Sequence, residues 1–165
     1  MRIRIAQVKV YPVKGDLDEN HARLLRALEA IASHSPDVVI TPEGFLDGYV
    51  ATESYVTQET IAQYAIDPAG SPYVSDVATW AARHNAWVVF GCARRGSDGV
   101  YNSALIFDRT GEWVGTYDKV HCQTHDKKYR SGQSLPVFQA DFGPFGVMIC
   151  ADRRSPGVRR ARRRP

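Results

Sequence analysis

The apolar positions of this chain change period along its length. Residues 2–10 (Arg-Ile-Arg-Ile-Ala-Gln-Val-Lys-Val) alternate polar and apolar, the period of a strand. Pro12 and Gly15 end that run, and Asp16 or Asp18 is placed to cap a helix. From Asp18 to His34, Ala22, Leu25, Leu28 and Ala32 recur at three- and four-residue steps, which predicts an amphipathic helix. Ser35-Pro36-Asp37 breaks it. Val38-Val39-Ile40 is then a short, fully apolar strand, as in a sheet covered on both faces.

Residues 42–70 carry Gly44, Gly48, Pro68 and Gly70 and read as a loop followed by some helix. Ser71-Pro72 is a helix start, an N-cap residue with proline in the first turn. Val74, Val77, Ala78 and Ala81 give that helix a buried stripe, to about His84. Trp87 to Gly91 is another buried strand. Val100–Phe107 and Trp113–Val120 flank Asp108-Arg109-Thr110-Gly111, a hairpin turn. Phe145 to Cys150 reads as a last strand, ending on the cysteine. The order β-α-β-α-β, then a hairpin, then a strand, predicts an α/β layered fold. A length of 165 residues suits one domain with a real core.

Composition narrows the function classes. No apolar run approaches the length of a membrane-spanning helix, and no secretory h-region follows Met1-Arg2-Ile3-Arg4-Ile5. A cytoplasmic protein is expected. Cys92, Cys122 and Cys150 make an odd count without CxxC spacing, which argues against a disulfide framework or a zinc site. One of the three thiols is then available as a nucleophile. The net charge of +3 misleads: residues 151–165 hold seven of the 21 basic residues and one of the 18 acidic ones. The remaining 14 basic and 17 acidic residues leave the body acidic. The arginine run has no interleaved aromatics for stacking, so nucleic-acid binding is not the expected function.

Three residues carry chemistry at predicted strand ends. Glu43 follows strand 38–40 in Thr41-Pro42-Glu43-Gly44-Phe45, where α/β folds place ligands. Lys119 follows the apolar run Trp113–Tyr117, and Cys150 ends Gly146-Val147-Met148-Ile149-Cys150. Singly, each has an ordinary reading: a loop carboxylate, a strand-end charge, a buried small hydrophobe. Together they could converge on one rim of a sheet and supply covalent hydrolysis. Cys150 would attack an electrophilic carbon as the thiolate. Lys119 would favour that thiolate and stabilise the tetrahedral intermediate. Glu43 would move the protons and activate water against the thioester. The backbone N–H of Ala151 is a second candidate donor to the oxyanion.

The stretches Ile40–Tyr49 (ITPEGFLDGY), 117–121 (YDKVH) and 146–154 (GVMICADRR) resemble, in order, the three catalytic motifs of the nitrilase superfamily of carbon–nitrogen hydrolases. Residues 101–121, with Asn102, resemble that family's hairpin into its catalytic lysine, and residues 131–150 the approach to its nucleophile. The resemblance implies Glu43 as general base, Lys119 as transition-state stabiliser and Cys150 as nucleophile. It implies part of an α-β-β-α four-layer sandwich, a homo-oligomer, and no metal or organic cofactor. Ala-Asp after Cys150, rather than the Trp-Glu of true nitrilases, favours a small amide or N-carbamoyl substrate over a nitrile.

The chain departs from the family's pattern twice. A second active-site glutamate is expected seven residues before Gly132, where His125 stands. Asp126 would substitute only if the loop shifts by one residue; otherwise His-Asp-Lys-Lys is a solvated loop. Tyr49, after the glutamate motif, is a candidate pocket residue. After Arg154 the family continues Phe-Pro-Glu into a second half, whereas this chain reads Ser155-Pro156-Gly157-Val158. Residues 1–154 therefore read as an incomplete hydrolase domain and 155–165 as an arginine-rich segment outside the family, from a truncated or frame-shifted product. The alternative function is accordingly an inactive fragment. Such a half-sandwich is expected to expose an apolar sheet face and a strand edge. Cys92 and Cys122 read as packing, as do Trp80, Trp87 and Trp113, and His21, His34 and His84 as surface residues.

Overall fold

The computed structural model describes residues 2–155 and Gly157; the rest of the arginine-rich segment lies outside the described residues. Its elements are β1 (Ile5–Gln7), α1 (Leu17–Ala32), β2 (Val38–Ile40), α2 (Pro72–His84), β3 (Trp87–Gly96), β4 (Gly99–Phe107), β5 (Trp113–Asp118), β6 (Phe138–Ala140) and β7 (Gly143–Phe145). The first five strands form one sheet in chain order. β1, β2 and β3 are parallel, with helical crossovers between them; β4 and β5 are antiparallel additions.

Local chemistry sets the helix ends. The Asp16 side chain accepts from the Glu19 N–H at 3.0 Å, and Asp18 and Glu19 sit in the first turn of α1, against its positive end. The fully buried residues of α1 are Asn20, Leu24 and Leu28; of the predicted stripe, Leu28 is buried and Leu25 and Ala32 pack against the core. The buried Asn20 is satisfied: its side chain donates to Val13 O at 2.7 Å and Leu46 O at 2.9 Å and accepts from Val13 N at 2.6 Å. α2 begins at Pro72 as expected, but the Ser71 side chain makes no capping bond. It buries Val74, Val77, Trp80 and Ala81. Of the three histidines expected at the surface, only His34 is exposed. His21 lies 3.3 Å from Asp76 and edge-on to Tyr73, and His84 stacks on Trp80, so both belong to helix packing.

Alternation along β2 and β3 splits the core in two. Val39, Val88, Phe90 and Cys92 pack under α1 and α2. Val38, Trp87 and Val89, joined by Ala104, Ile106 and Tyr117, face the other way. That second face is not bare, contrary to the expectation for a half-sandwich. Residues 135–149 lie over it, with Phe138 and Ile149 buried and Leu135, Phe142, Phe145 and Val147 packed against them. Trp87 meets the rings of Phe142 and Phe145 edge-on, at 5.9 and 5.6 Å between centroids. The strand edges at β1 and β5 do meet water: Ile5, Trp113 and Val114 are exposed.

Three boundaries differ from expectation for reasons of pairing. β1 spans three residues because its neighbour β2 is only that long. β3 runs on to Gly96 because it pairs with β4 from Val88 to that residue. The predicted strand Phe145–Cys150 is not one: β7 stops at Phe145, residues 146–149 make no ladder, and Cys150 opens a 3-10 turn, Cys150–Arg154. Residues 147 and 149 pack onto the sheet face instead of extending its edge. No helix among the described residues is long and apolar enough to cross a membrane.

Removing the Phe138 ring should expose the second core, at a cost of about 3–5 kcal/mol for a buried Phe→Ala change. Chemical denaturation of Phe138→Ala measures this directly. Tyr11→Ala, at a side chain 91% exposed, is the control and should shift stability by less than about 0.5 kcal/mol.

Candidate active site

Strand direction brings the first two candidates together. β5 is antiparallel to β4, which is antiparallel to β3, so β2, β3 and β5 all point the same way. Glu43 lies just past the end of β2 and Lys119 just past the end of β5, hence on one rim. Asn102, near the start of β4, lies between them. Its carbonyl accepts from the Lys119 N–H at 2.9 Å, and its Nδ2 donates to Glu43 Oε1 at 2.8 Å. The Lys119 ammonium donates to the same Oε1 at 2.7 Å and to Asp126 Oδ2 at 2.5 Å. The Lys119 and Asp126 side chains are 1% and 2% exposed, and that of Glu43 18%. Burial pulls the Lys119 pKa down. The bonds to Asp126 and Glu43, with their charges, more than reverse it, so the amine is held above the ordinary lysine value.

The loop carrying Glu43 is fixed by β3. Thr41 Oγ1 accepts from the Gly91 N–H at 2.8 Å. A Cβ on Gly91 would lie 2.3 Å from Pro42 O, so only glycine lets the loop approach this closely. Asp47 is completely buried and accepts from Ala93 N at 2.8 Å and Val50 N at 3.1 Å. Burial pushes its carboxyl up to about 6, against those hydrogen bonds. Tyr49 sits in the left-handed region, at φ 52°, and donates its hydroxyl to Asp126 Oδ1 at 2.6 Å. That hydroxyl is also 2.8 Å from His125 Nε2, and the ring lies 5.8 Å from the Lys119 Nζ. Burial first, then the bond to Asp126, raises the Tyr49 pKa well above the tyrosine range.

Asp126, not His125, thus contacts the lysine. The solvated-loop reading of 125–128 does not hold at Asp126, which the loop turns inward; Lys128 ties that loop to the Ala51 and Glu53 carbonyls at 2.7 Å. Lys127 remains exposed.

Cys150 is exposed and lies in the left-handed region, at φ 44°. A non-glycine residue pays about 1–2 kcal/mol for that backbone, which the surrounding turn must hold. Cys150 and Glu43 line one cavity of about 150 Å³, walled mainly by Ile40, Pro42, Val89, Ala104 and Met148. Ala151, the next residue, is buried. The other thiols lie elsewhere: Cys92 is buried beneath the helices and Cys122 half-buried, and burial raises both pKa values. No group of three or more His, Cys, Asp or Glu side chains among the described residues could hold a metal ion. A thiol and a carboxylate facing one cavity, with an ammonium bonded to that carboxylate, can perform nucleophilic acyl chemistry. Two buried carboxylates, Asp47 and Asp152, had no signal in the sequence, because an acid in a loop reads as solvated.

A family model for carbon–nitrogen hydrolases matches residues 2–165, running on through the arginine-rich segment. A probable nitrilase of Schizosaccharomyces pombe is 27% identical over 166 residues, covering 97% of this chain and 59% of the relative. Among solved structures, a carbon–nitrogen hydrolase superfamily protein from Xanthomonas campestris, with an arsenic adduct in its active site, is 26% identical at a TM-score of 0.78. The match covers 94% of this chain and 56% of that one. A mutant amidase from Nesterenkonia sp. AN1, in which acrylamide has added to the active-site cysteine, shares the fold at a TM-score of 0.77 and 21% identity. It covers 98% of this chain and 62% of that one. The chain spans about half the length of the curated relatives it matches, 43% to 59%.

The buried Asp47 makes stability depend on pH. Its folded pKa of about 6 lies above its unfolded value of 3.8, so the native state holds more protons between the two. Stability is therefore expected to fall as pH rises from about 4 to above 6, by about 3 kcal/mol from this group. Asp47→Asn should flatten that part of the curve. Urea unfolding at pH 4, 5, 6 and 7 checks both.

Proposed function

The chain belongs to the carbon–nitrogen hydrolase family, and on that premise we propose that it carries the catalytic centre of a hydrolase of non-peptide C–N bonds acting through a cysteine thioester. The observation that carries this is the Glu43–Lys119 contact of 2.7 Å beside a cavity that Glu43 shares with Cys150. Glu43 takes the Cys150 proton and the sulfur attacks the carbonyl carbon. Lys119 and the Ala151 N–H stabilise the oxyanion. The tetrahedral intermediate collapses as Glu43 returns the proton to the leaving nitrogen, releasing ammonia or an amine and leaving a thioester. Glu43 then deprotonates water, which attacks the thioester; the acid leaves, and the sulfur regains its proton from Glu43. Asp126 and Tyr49 do not enter these transfers. Asp126 is the second anion that keeps Lys119 charged, and Tyr49 holds Asp126 in place.

A small amide or N-carbamoyl compound is the proposed substrate, on the strength of Ala-Asp after Cys150 and the amidase among the structural neighbours. Nitrile hydrolysis is the second reading, favoured by curated relatives named as nitrilases. Both begin with the same attack by sulfur, so the mechanism is testable before the substrate is known. Iodoacetamide should alkylate Cys150 faster than Cys92 or Cys122, and Lys119→Ala should slow Cys150 by about tenfold or more, the loss of a nearby cation worth about one pH unit of thiolate stabilisation. Peptide mapping of the labelled protein reads all three sites at once. Equal rates at Cys150 and Cys122, unaffected by the substitution, would remove the mechanism.

A further inference from the structure

We infer that Asp152 is a positioning residue that sets Cys150 against Lys119, a proposal that rests on the roles given to those two residues above. Asp152 lies two residues after Cys150 and is completely buried. Its Oδ2 accepts from the Tyr117 hydroxyl at 2.5 Å and from the Ile149 N–H at 3.0 Å. Its Oδ1 accepts from the His121 N–H at 2.9 Å and lies 3.1 Å from His121 Nδ1. These partners bracket both reactive positions. Tyr117 and His121 stand two residues to either side of Lys119, and Ile149 immediately precedes Cys150.

The need for such a tie follows from the fold. Lys119 is placed by β5 and by its own backbone bond to Asn102. Cys150 has no such support: residues 146–149 belong to no ladder, and Cys150 itself carries a left-handed backbone. A strained residue keeps its conformation only where the surroundings over-determine it. The Asp152 N–H closes the turn on Ile149 O at 3.1 Å, and the Asp152 carboxylate fastens that turn to the strand end carrying Lys119. A buried carboxylate is expensive. Among the described residues no lysine or arginine bonds Asp152; its donors are backbone amides, a tyrosine hydroxyl and an imidazole. Four donors from two segments are what a carboxylate accepts and an amide cannot, since the amide turns an N–H toward one pair.

The test is the pH–rate profile of Cys150 alkylation by iodoacetamide in the whole chain, with Cys92 as the internal reporter of unfolding. Asp152→Asn should move the profile to higher pH and slow Cys150 by about tenfold near neutrality, one pH unit of displacement being tenfold in thiolate. Tyr117→Phe, which keeps the buried ring and removes one tie, should move it the same way by less. Cys92 should stay protected in both. If Cys92 becomes labelled in Asp152→Asn, that variant has opened and Tyr117→Phe decides. Profiles unmoved in the folded variants, while Lys119→Ala still slows Cys150, overturn the positioning role and leave the mechanism standing. A wild-type Cys150 no faster than Cys122 and indifferent to Lys119→Ala overturns the mechanism, and this role with it.

Discussion

The structure turns on one buried ammonium. Lys119 is almost wholly removed from water, and an isolated charge there would shed its proton rather than stay. Two carboxylates prevent that. Glu43 arrives from the end of β2 and Asp126 from the loop after β5. One cation therefore ties the loop after β2, 76 residues away in sequence, to the end of β5 and the loop that follows it. Because two anions face one cation, the excess negative charge needs further donors. Asn102 Nδ2 serves Glu43 and the Tyr49 hydroxyl serves Asp126, which draws β4 and the Glu43 loop into the same knot. Breaking such a buried set by removing one partner generally costs about 3–5 kcal/mol, because it strands a charge.

The sheet supplies the geometry that makes the knot possible. With β2, β3 and β5 running in one direction, their ends share a rim, and β4 presents Asn102 there from the opposite direction. Cys150 belongs to a different part of the structure. Cys150 reaches the rim on a segment laid across the sheet face, anchored by Phe138, Phe145 and Ile149 below and by Asp152 behind the turn. Glu43 and Cys150 therefore depend on different forces: hydrogen bonding and charge for the first, apolar packing and one buried carboxylate for the second.

Much of this was legible in the residues. The apolar run 38–40, the helix opening at Ser71-Pro72 and the turn at 108–111 identify their elements because each has a strong local signal. Glu43 and Lys119 each have an ordinary reading alone and stood out only as a set with Cys150, all three at predicted strand ends. The segment 145–150 was not legible, because an apolar run looks the same whether it pairs at a sheet edge or lies across a sheet. The choice between His125 and Asp126 was closed to sequence reasoning for a related cause. Spacing in a loop does not tell which of two adjacent side chains turns inward; here the Lys128 ties to Ala51 and Glu53 and the Tyr49 hydroxyl decide it. Asp47 and Asp152 were hidden for a third reason, since burying an acid needs backbone donors that only the folded chain assembles.

The central claim is that Lys119 stays an ammonium because two carboxylates hold it, and nitrogen-15 NMR of the lysine side chains tests that most directly. A pH titration of the Lys119 Nζ resonance should show the amine protonated beyond the ordinary lysine range, above about 10.4. A Lys119 that loses its proton near or below neutrality, as an unpaired buried lysine does, would contradict the account at its root.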